Sequence, residues 1–378
     1  MPAAPALYAA YAAAWCLYLP LGLQYLAFLA GALAAGIATV RDGRIGAAGR
    51  DPVVAALGLW WLWMLLSALW SPAPGSQRAA ALWHYVLPLA MVMLAAWLPP
   101  EGARRALRHF VVVSALVALL LPLGLGDRVT GNQRIVYSLL LALGAAFAAL
   151  EALDARAHRE RAAWIVAGVA CAAGLALQDR RSGVLVLPLL LLALAVLRQR
   201  SWLRRGALAL AVTAGTAGAW LASPTLHARI EQGLAELREY RSQGDVETSM
   251  GMRLRMVEVT LDMVRERPWI GHGAGSWPGL WRERVRGGEL LQAHLTPHDE
   301  YLLVLQQGGA VGLALFLGAL ALLLRAVWRR GPAGHAALLV GIGFVVAAVF
   351  NAALRDAKLA LPLMLLGALA WARSKANL

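Results

Sequence analysis

Thr296-Pro-His-Asp-Glu-Tyr-Leu302 places an imidazole and two carboxylates where a polar stretch meets an apolar run. A histidine at such a junction is half in water and half against a low-dielectric wall. An imidazole in that setting can move protons near neutral pH. His298 is therefore the candidate general base, with Asp299 beside it to accept a ring N–H or to raise its pKa. On this reading the pH–rate profile rises through a pKa of about 6.5. His294 has the i,i+4 spacing of paired metal ligands on a helix, but Pro297 interrupts that helix and no metal site is expected. Arginines carry the second kind of chemistry, because a guanidinium is a planar, bidentate ligand for phosphate. Arg180 and Arg181 stand together in Gln178-Asp-Arg-Arg-Ser-Gly183, and Arg253 and Arg255 open a later helical stretch. Competing readings exist for each pair. Arg180 and Arg181 can snorkel to lipid headgroups, and Arg255 can pair with Glu258 on a solvated helix face. Arg355 and Asp356, close to Lys358, read first as an ion pair between two spans and second as support for the site. Trp269-Ile-Gly-His-Gly-Ala-Gly-Ser-Trp277 is a turn-rich loop. No strand precedes it, which argues against a dinucleotide-binding reading, but its backbone N–H groups remain candidates for a phosphate contact.

These residues must be positioned by membrane helices. The chain has 378 residues, is 60% hydrophobic and has a mean hydropathy of +0.61. Apolar runs long enough for ~30 Å of hydrocarbon recur throughout, which predicts an all-α, polytopic membrane protein. Twelve spans are expected, at about 4–19, 22–40, 53–70, 79–98, 107–124, 134–152, 163–178, 184–197, 206–222, 300–324, 334–351 and 359–372. The chain then divides into nine spans over 1–222, a long structured loop over 223–298, and three spans over 299–378. The N-terminus lacks a basic n-region, so an uncleaved first span is expected. Cys16 and Cys171 fall in apolar runs, and neither a disulfide nor a metal site is expected of them.

Orientation follows from basic residues. Alternate short loops and the C-terminal tail hold 18 of the 35 basic residues, the short loops on the other side hold 7, and the long loop holds the remaining 10. The bias puts both termini in the cytoplasm and 224–297 outside. That long segment has 10 arginines and 10 acidic residues, so the net charge of +14 resides elsewhere, as lipid anchoring, and makes no case for nucleic acid. Within it, Ser223-Pro224 reads as a helix start, followed by Leu226, Ile230, Leu234 and Leu237 on one face. A second helix, about 252–267, carries Met252, Met256, Val259 and Met263 and stops before Pro268. Both are amphipathic enough to lie on the bilayer or to cap the bundle.

Four of these stretches, in this order, resemble the O-antigen ligase and polymerase superfamily. Arg181-Ser-Gly resembles its Ser-Arg motif, Arg253 its helix arginine, and Pro268-Trp-Ile-Gly-His-Gly-Ala-Gly its glycine loop. Pro297-His-Asp-Glu-Tyr-Leu with Gly308-Gly-Ala-Val-Gly312 resembles its histidine signature. Together they cover about residues 165–320. Two positions depart from the family pattern: Arg180 replaces the usual serine, and Asp299 the usual asparagine. The resemblance implies a GT-C-like glycosyltransferase of the bacterial inner membrane, with its active site facing the periplasm. Its expected substrates are O-antigen on undecaprenyl diphosphate and a lipid A–core acceptor. His298 would be the base, Arg181 and Arg253 (with Arg180 and Arg255) the diphosphate ligands, and Asp299, Arg355 and Asp356 the support. No Asp-x-Asp motif occurs, so no cofactor and no metal are expected, and direct displacement would invert the anomeric centre. Ligation to lipid A–core is the first expectation, because the compact chain lacks the C-terminal extension of protein-glycosylating relatives. Polymerisation on the carrier is the second. A transporter or flippase is the third, disfavoured because its expected internal repeats and midplane charges are not seen.

Overall fold

The computed structural model describes residues 16–41, 50–121, 134–177, 181–199, 201–221, 224–285 and 292–375. Every regular element among them is helical. In chain order they are α1 (Leu21–Arg41), α2 (Pro52–Ser67), α3 (Gly75–Tyr85), α4 (Leu87–Trp97), α5 (Pro100–Leu120), α6 (Arg134–Asp154), α7 (His158–Ala176), α8 (Arg181–Arg198) and α9 (Trp202–Leu221). There follow α10 (Pro224–Gln243), α11 (Ser249–Glu266), α12 (Trp277–Arg284), α13 (Glu300–Trp328), α14 (His335–Phe350) and α15 (Ala357–Arg373).

Local chemistry explains several helix starts. Asp51 Oδ1 accepts the Val53 N–H at 2.8 Å with Pro52 in the first turn of α2, and Thr248 Oγ1 accepts the Gly251 N–H at 3.1 Å to cap α11. Asp299 and Asp356 cap α13 and α15 in the same way. The expected span at 79–98 is broken into α3 and α4, with Pro88 in the first turn of the second helix.

Five helical stretches are long and apolar enough to cross a membrane: Leu21–Arg41, Gly75–Trp97, Val136–Asp154, Glu300–Trp328 and Gly331–Phe350. Pro52–Ser67 and Leu185–Arg198 are apolar but shorter. Large apolar side chains such as Leu26, Leu33, Ile37, Val166 and Val169 point outward, as they do in a protein solvated by lipid. This is a helical membrane protein. Most of the expected span at 4–19 lies outside the described residues, which begin at Cys16, and the other eleven overlie helices. Only five helical stretches meet the length and composition of a span among the described residues, so the expected count of twelve spans is not reproduced.

The middle of the bundle is α6 and α15, both buried along nearly their whole length. Small residues let helices approach: a Cβ on Gly183 would stand 2.3 Å from the Ser138 carbonyl oxygen of α6. The glycine of Arg-Ser-Gly is therefore a packing requirement. One bundle end is closed by charge. Glu151, its side chain 2% exposed, meets Arg108 Nε at 2.7 Å and Arg373 Nη1 at 2.7 Å. Asp154 meets Arg198 Nη2 at 2.7 Å and Arg373 Nη2 at 3.3 Å, and Arg108 also reaches Glu160 at 3.1 Å.

Candidate active site

The other end of the bundle is where α13 and α15 begin. It lies roughly 25 Å from Arg373, the length of α15 at 1.5 Å per residue. α13 is not a plain helix. Gly309 has φ 66° and ψ −170°, so the chain kinks inside the run of 29 residues. The glycine loop fills that kink. The His272 N–H donates to the Gln306 carbonyl at 2.9 Å and the Gly273 N–H to the Gln307 carbonyl at 2.8 Å. In return Ala310 N–H donates to the Pro268 carbonyl at 2.8 Å. Ala274 N–H donates to Ser67 Oγ at 3.0 Å, and Gly275 N–H to Gln307 Oε1 at 3.1 Å, where Tyr85 Oη also donates at 2.9 Å. Trp63 Nε1 donates to the Gly308 carbonyl at 2.8 Å. Glycine is required here: Cβ atoms on Gly271, Gly273 and Gly309 would meet backbone oxygens at 2.2–2.4 Å, and all three have positive φ. These amides are spent on the fold. The expectation that they face a phosphate is therefore corrected, because a donor satisfied inside the protein has no bond left for a ligand.

The kink and its loop carry a lid. The face of Met256, Val259 and Met263 on α11 packs on Trp277, Trp281 and Leu303, so this helix caps the bundle. It begins at Ser249, ahead of the expected 252. On α10, Leu234 is exposed and Leu237 half-buried, whereas Ser223 and the side chains of Leu226 and Ile230 lie outside the described residues.

His298 sits at the junction of loop and span, half-buried. Its φ is 56°, the one positive value at a non-glycine residue among those described. The left-handed region costs a β-carbon-bearing residue about 1–2 kcal/mol, and histidine holds it only where the surroundings impose it. His298 Nε2 lies 3.4 Å from His294 Nδ1, with one ring nitrogen donating to the other. Burial, then the Arg253 charge, then His294 lower the His298 pKa from its usual 6.5 to about 4. The expectation of a pKa near 6.5 is thereby corrected: the imidazole is neutral across the physiological range.

Asp299 does not serve the imidazole. Its Oδ1 accepts the Leu302 N–H at 2.8 Å as the cap of α13, and burial raises its pKa. Asp356 likewise caps α15, accepting the Lys358 N–H at 3.0 Å. The expected Arg355–Asp356 ion pair does not form; Arg355 Nη1 instead faces His84 Nδ1 at 3.3 Å. Arg255 is tied to Glu258 at 3.6 Å, as its solvated-face reading expected. Glu258 in turn accepts from Tyr240 Oη at 2.5 Å, and that phenol is pushed up to about 12 by burial and the carboxylate. Arg181 is the first residue of α8, whose last residue, Arg198, reaches Asp154 at the closed end. Its backbone therefore belongs to the His298 end; its side chain, and Arg180 entirely, lie outside the described residues.

The structure thus brings His298, His294, Arg253 and Arg355 to one end and turns Asp299 and Asp356 into caps. His84, Glu300 and the Gln306–Gln307 pair were not legible as partners of this end. An acid in the first turn of an apolar helix reads as a dipole contact, and nothing local shows that its carboxylate crosses to another loop. A separate cavity of ≈ 60 Å³ between Leu57, Met91, Phe316, Leu363 and their neighbours is walled by apolar groups, so it does not serve ionic chemistry.

A membrane helix kinked at Gly309 and met by a glycine loop, with His298, His294 and Arg355 at the same end, makes up the candidate site. Residues 166–317 match the O-antigen ligase family, so over that stretch the chain is similar to O-antigen ligases. No curated protein matches it. The family implies glycosyltransferase-like chemistry on lipid-linked glycans in O-antigen processing.

Proposed function

We propose that this protein is a metal-independent, inverting glycosyltransferase that moves O-antigen from undecaprenyl diphosphate to lipid A–core. The His298 end would face the periplasm, as the arginine bias of the loops supports. The observation that carries this reading is His298 itself: strained, half-buried, neutral, and within the field of Arg253. A neutral imidazole is the protonation state a general base needs. With Nε2–H donating to His294, the Nδ1 lone pair takes the proton of the acceptor hydroxyl. The acceptor oxygen bonds to the anomeric carbon as the bond from that carbon to the diphosphate oxygen breaks. The electron pair leaves on the lipid diphosphate, where Arg181, Arg253 and Arg355 offset the charge. Arg255, already tied to Glu258, is the weaker candidate of its pair.

Expression in a strain lacking its own ligase tests the assignment. Restored laddering of lipopolysaccharide is the expected result. Glycan chains that lengthen on the carrier with no transfer to lipid A–core would instead mark a polymerase. Neither product from a protein that reaches the membrane would sink the transfer reading.

A further inference from the structure

Glu300 is 0% exposed at the first position of α13, yet it does not cap that helix, because Asp299 does. Its Oε2 crosses to another part of the chain and accepts the Leu354 N–H at 2.8 Å and the Arg355 N–H at 3.4 Å. Those amides belong to the turn between α14 and α15, whose own cap is Asp356. A buried carboxylate is costly unless donors meet it, so the two amides and Glu300 hold one another in place.

The same turn presents the half-buried guanidinium of Arg355. Its side-chain contact is His84 Nδ1 at 3.3 Å, and no ion pair to it is present among the described residues. That ring nitrogen also stands 2.6 Å from the Ala80 carbonyl, to which it must donate. A nitrogen that donates there has no lone pair for Arg355. The guanidinium is therefore held at the His298 end beside a ring that cannot satisfy it.

We infer that Glu300 is a positioning residue: it ties the 352–355 turn to the start of α13, so that one anchor sets both the His298 junction and the Arg355 guanidinium toward an anionic, diphosphate-bearing donor. The inference rests on the transfer reading for what Arg355 binds, and on geometry alone for the anchor.

The full-length protein in lipid nanodiscs provides the test, with amide exchange and transfer kinetics read on the same samples. Glu300→Ala should speed exchange at Leu354 and Arg355. It should also raise the KM for the lipid-diphosphate donor by roughly 10- to 100-fold, the weight of hydrogen bonds to a charged group. Glu300→Gln keeps a carbonyl oxygen for the two amides and should recover most of both losses. Glu300→Asp keeps the charge, falls short by a methylene, and should behave like Glu300→Ala. Combined with Arg355→Ala, Glu300→Ala should add little, since the two act on one contact. Additive losses in that cycle would overturn the positioning role. Unchanged exchange at residues 354 and 355 in Glu300→Ala, or in Glu300→Asp should the alanine variant misfold, would overturn the anchor. A wild-type sample that exchanges as expected but transfers nothing would count against the transfer reading and leave the anchor standing.

Discussion

The two ends of the bundle spend their charges differently. At the closed end Glu151 meets three guanidinium groups and Asp154 two, and Arg373 bridges both acids. At the His298 end the lid keeps ion pairs of its own, such as Arg255 with Glu258, but the three acids at the span mouths go to backbone amides: Asp299 caps α13, Asp356 caps α15, and Glu300 holds the 352–355 turn. Arg355 is left facing an imidazole, and the Arg253 charge falls on His298. Cations neutralised by carboxylates lock helices together. Cations whose nearby carboxylates are occupied elsewhere keep a field that an anion can use. The same residue types thus make a clasp at one end and a candidate catalytic surface at the other.

Four measurements would break or sharpen that contrast. His298→Asn should have the largest effect, a loss of roughly 10²- to 10⁴-fold in transfer, the range for a general base. Asparagine tolerates a positive φ, so the variant should keep wild-type thermal stability; transfer at wild-type rate would reduce His298 to a structural turn. Next is the closed end. Arg373→Ala leaves Glu151 and Asp154 short of a partner and should cost about 3–5 kcal/mol of stability with little change in turnover per folded molecule. A variant that keeps its stability and loses turnover would erase the distinction between the ends.

Arg253→Ala should follow, with a loss of about 30- to 1000-fold in transfer, corresponding to about 2–4 kcal/mol of charge stabilisation. Arg253→Lys should recover part, because lysine lacks the planar fork. Arg255→Ala should cost much less, and an equal cost would mean the pair had been assigned the wrong way round. The smallest effect is the pH dependence. Because the folded pKa of His298 is lowered to about 4, kcat/KM should be level through neutrality and fall only as pH approaches 4. The sign for stability is the same: the unfolded chain takes up the proton first, so His298 destabilises the fold progressively as pH drops from 6.5 toward about 4. Bound diphosphate would offset the Arg253 charge, so the kcat profile should show the higher pKa. A kcat/KM profile that breaks near 6.5 would place His298 in water.

Much of the architecture was legible because hydrophobic length and period are local properties. Helices near the expected boundaries, the start of α10 at Pro224, the buried stripe of Met256, Val259 and Met263, and the pairing of Arg255 with Glu258 all follow from residues a turn or two apart. His298 stood out in the same way, as an imidazole between a proline and a span.

Partners distant in the chain were not legible. Asp299 beside His298 in sequence suggested a contact, but a positive φ at His298 sets the ring apart and leaves Asp299 to cap the helix. The glycine loop looked like a phosphate cradle until α13 kinked at Gly309 and took up its amides. The lowered pKa of His298 comes first from burial and then from the charge of Arg253 on the lid helix, and both depend on packing between segments distant in the chain. Spacing along the chain decides which side chains share a helix face. Only packing decides which buried acceptor each N–H meets, and therefore which arginines remain for an anion.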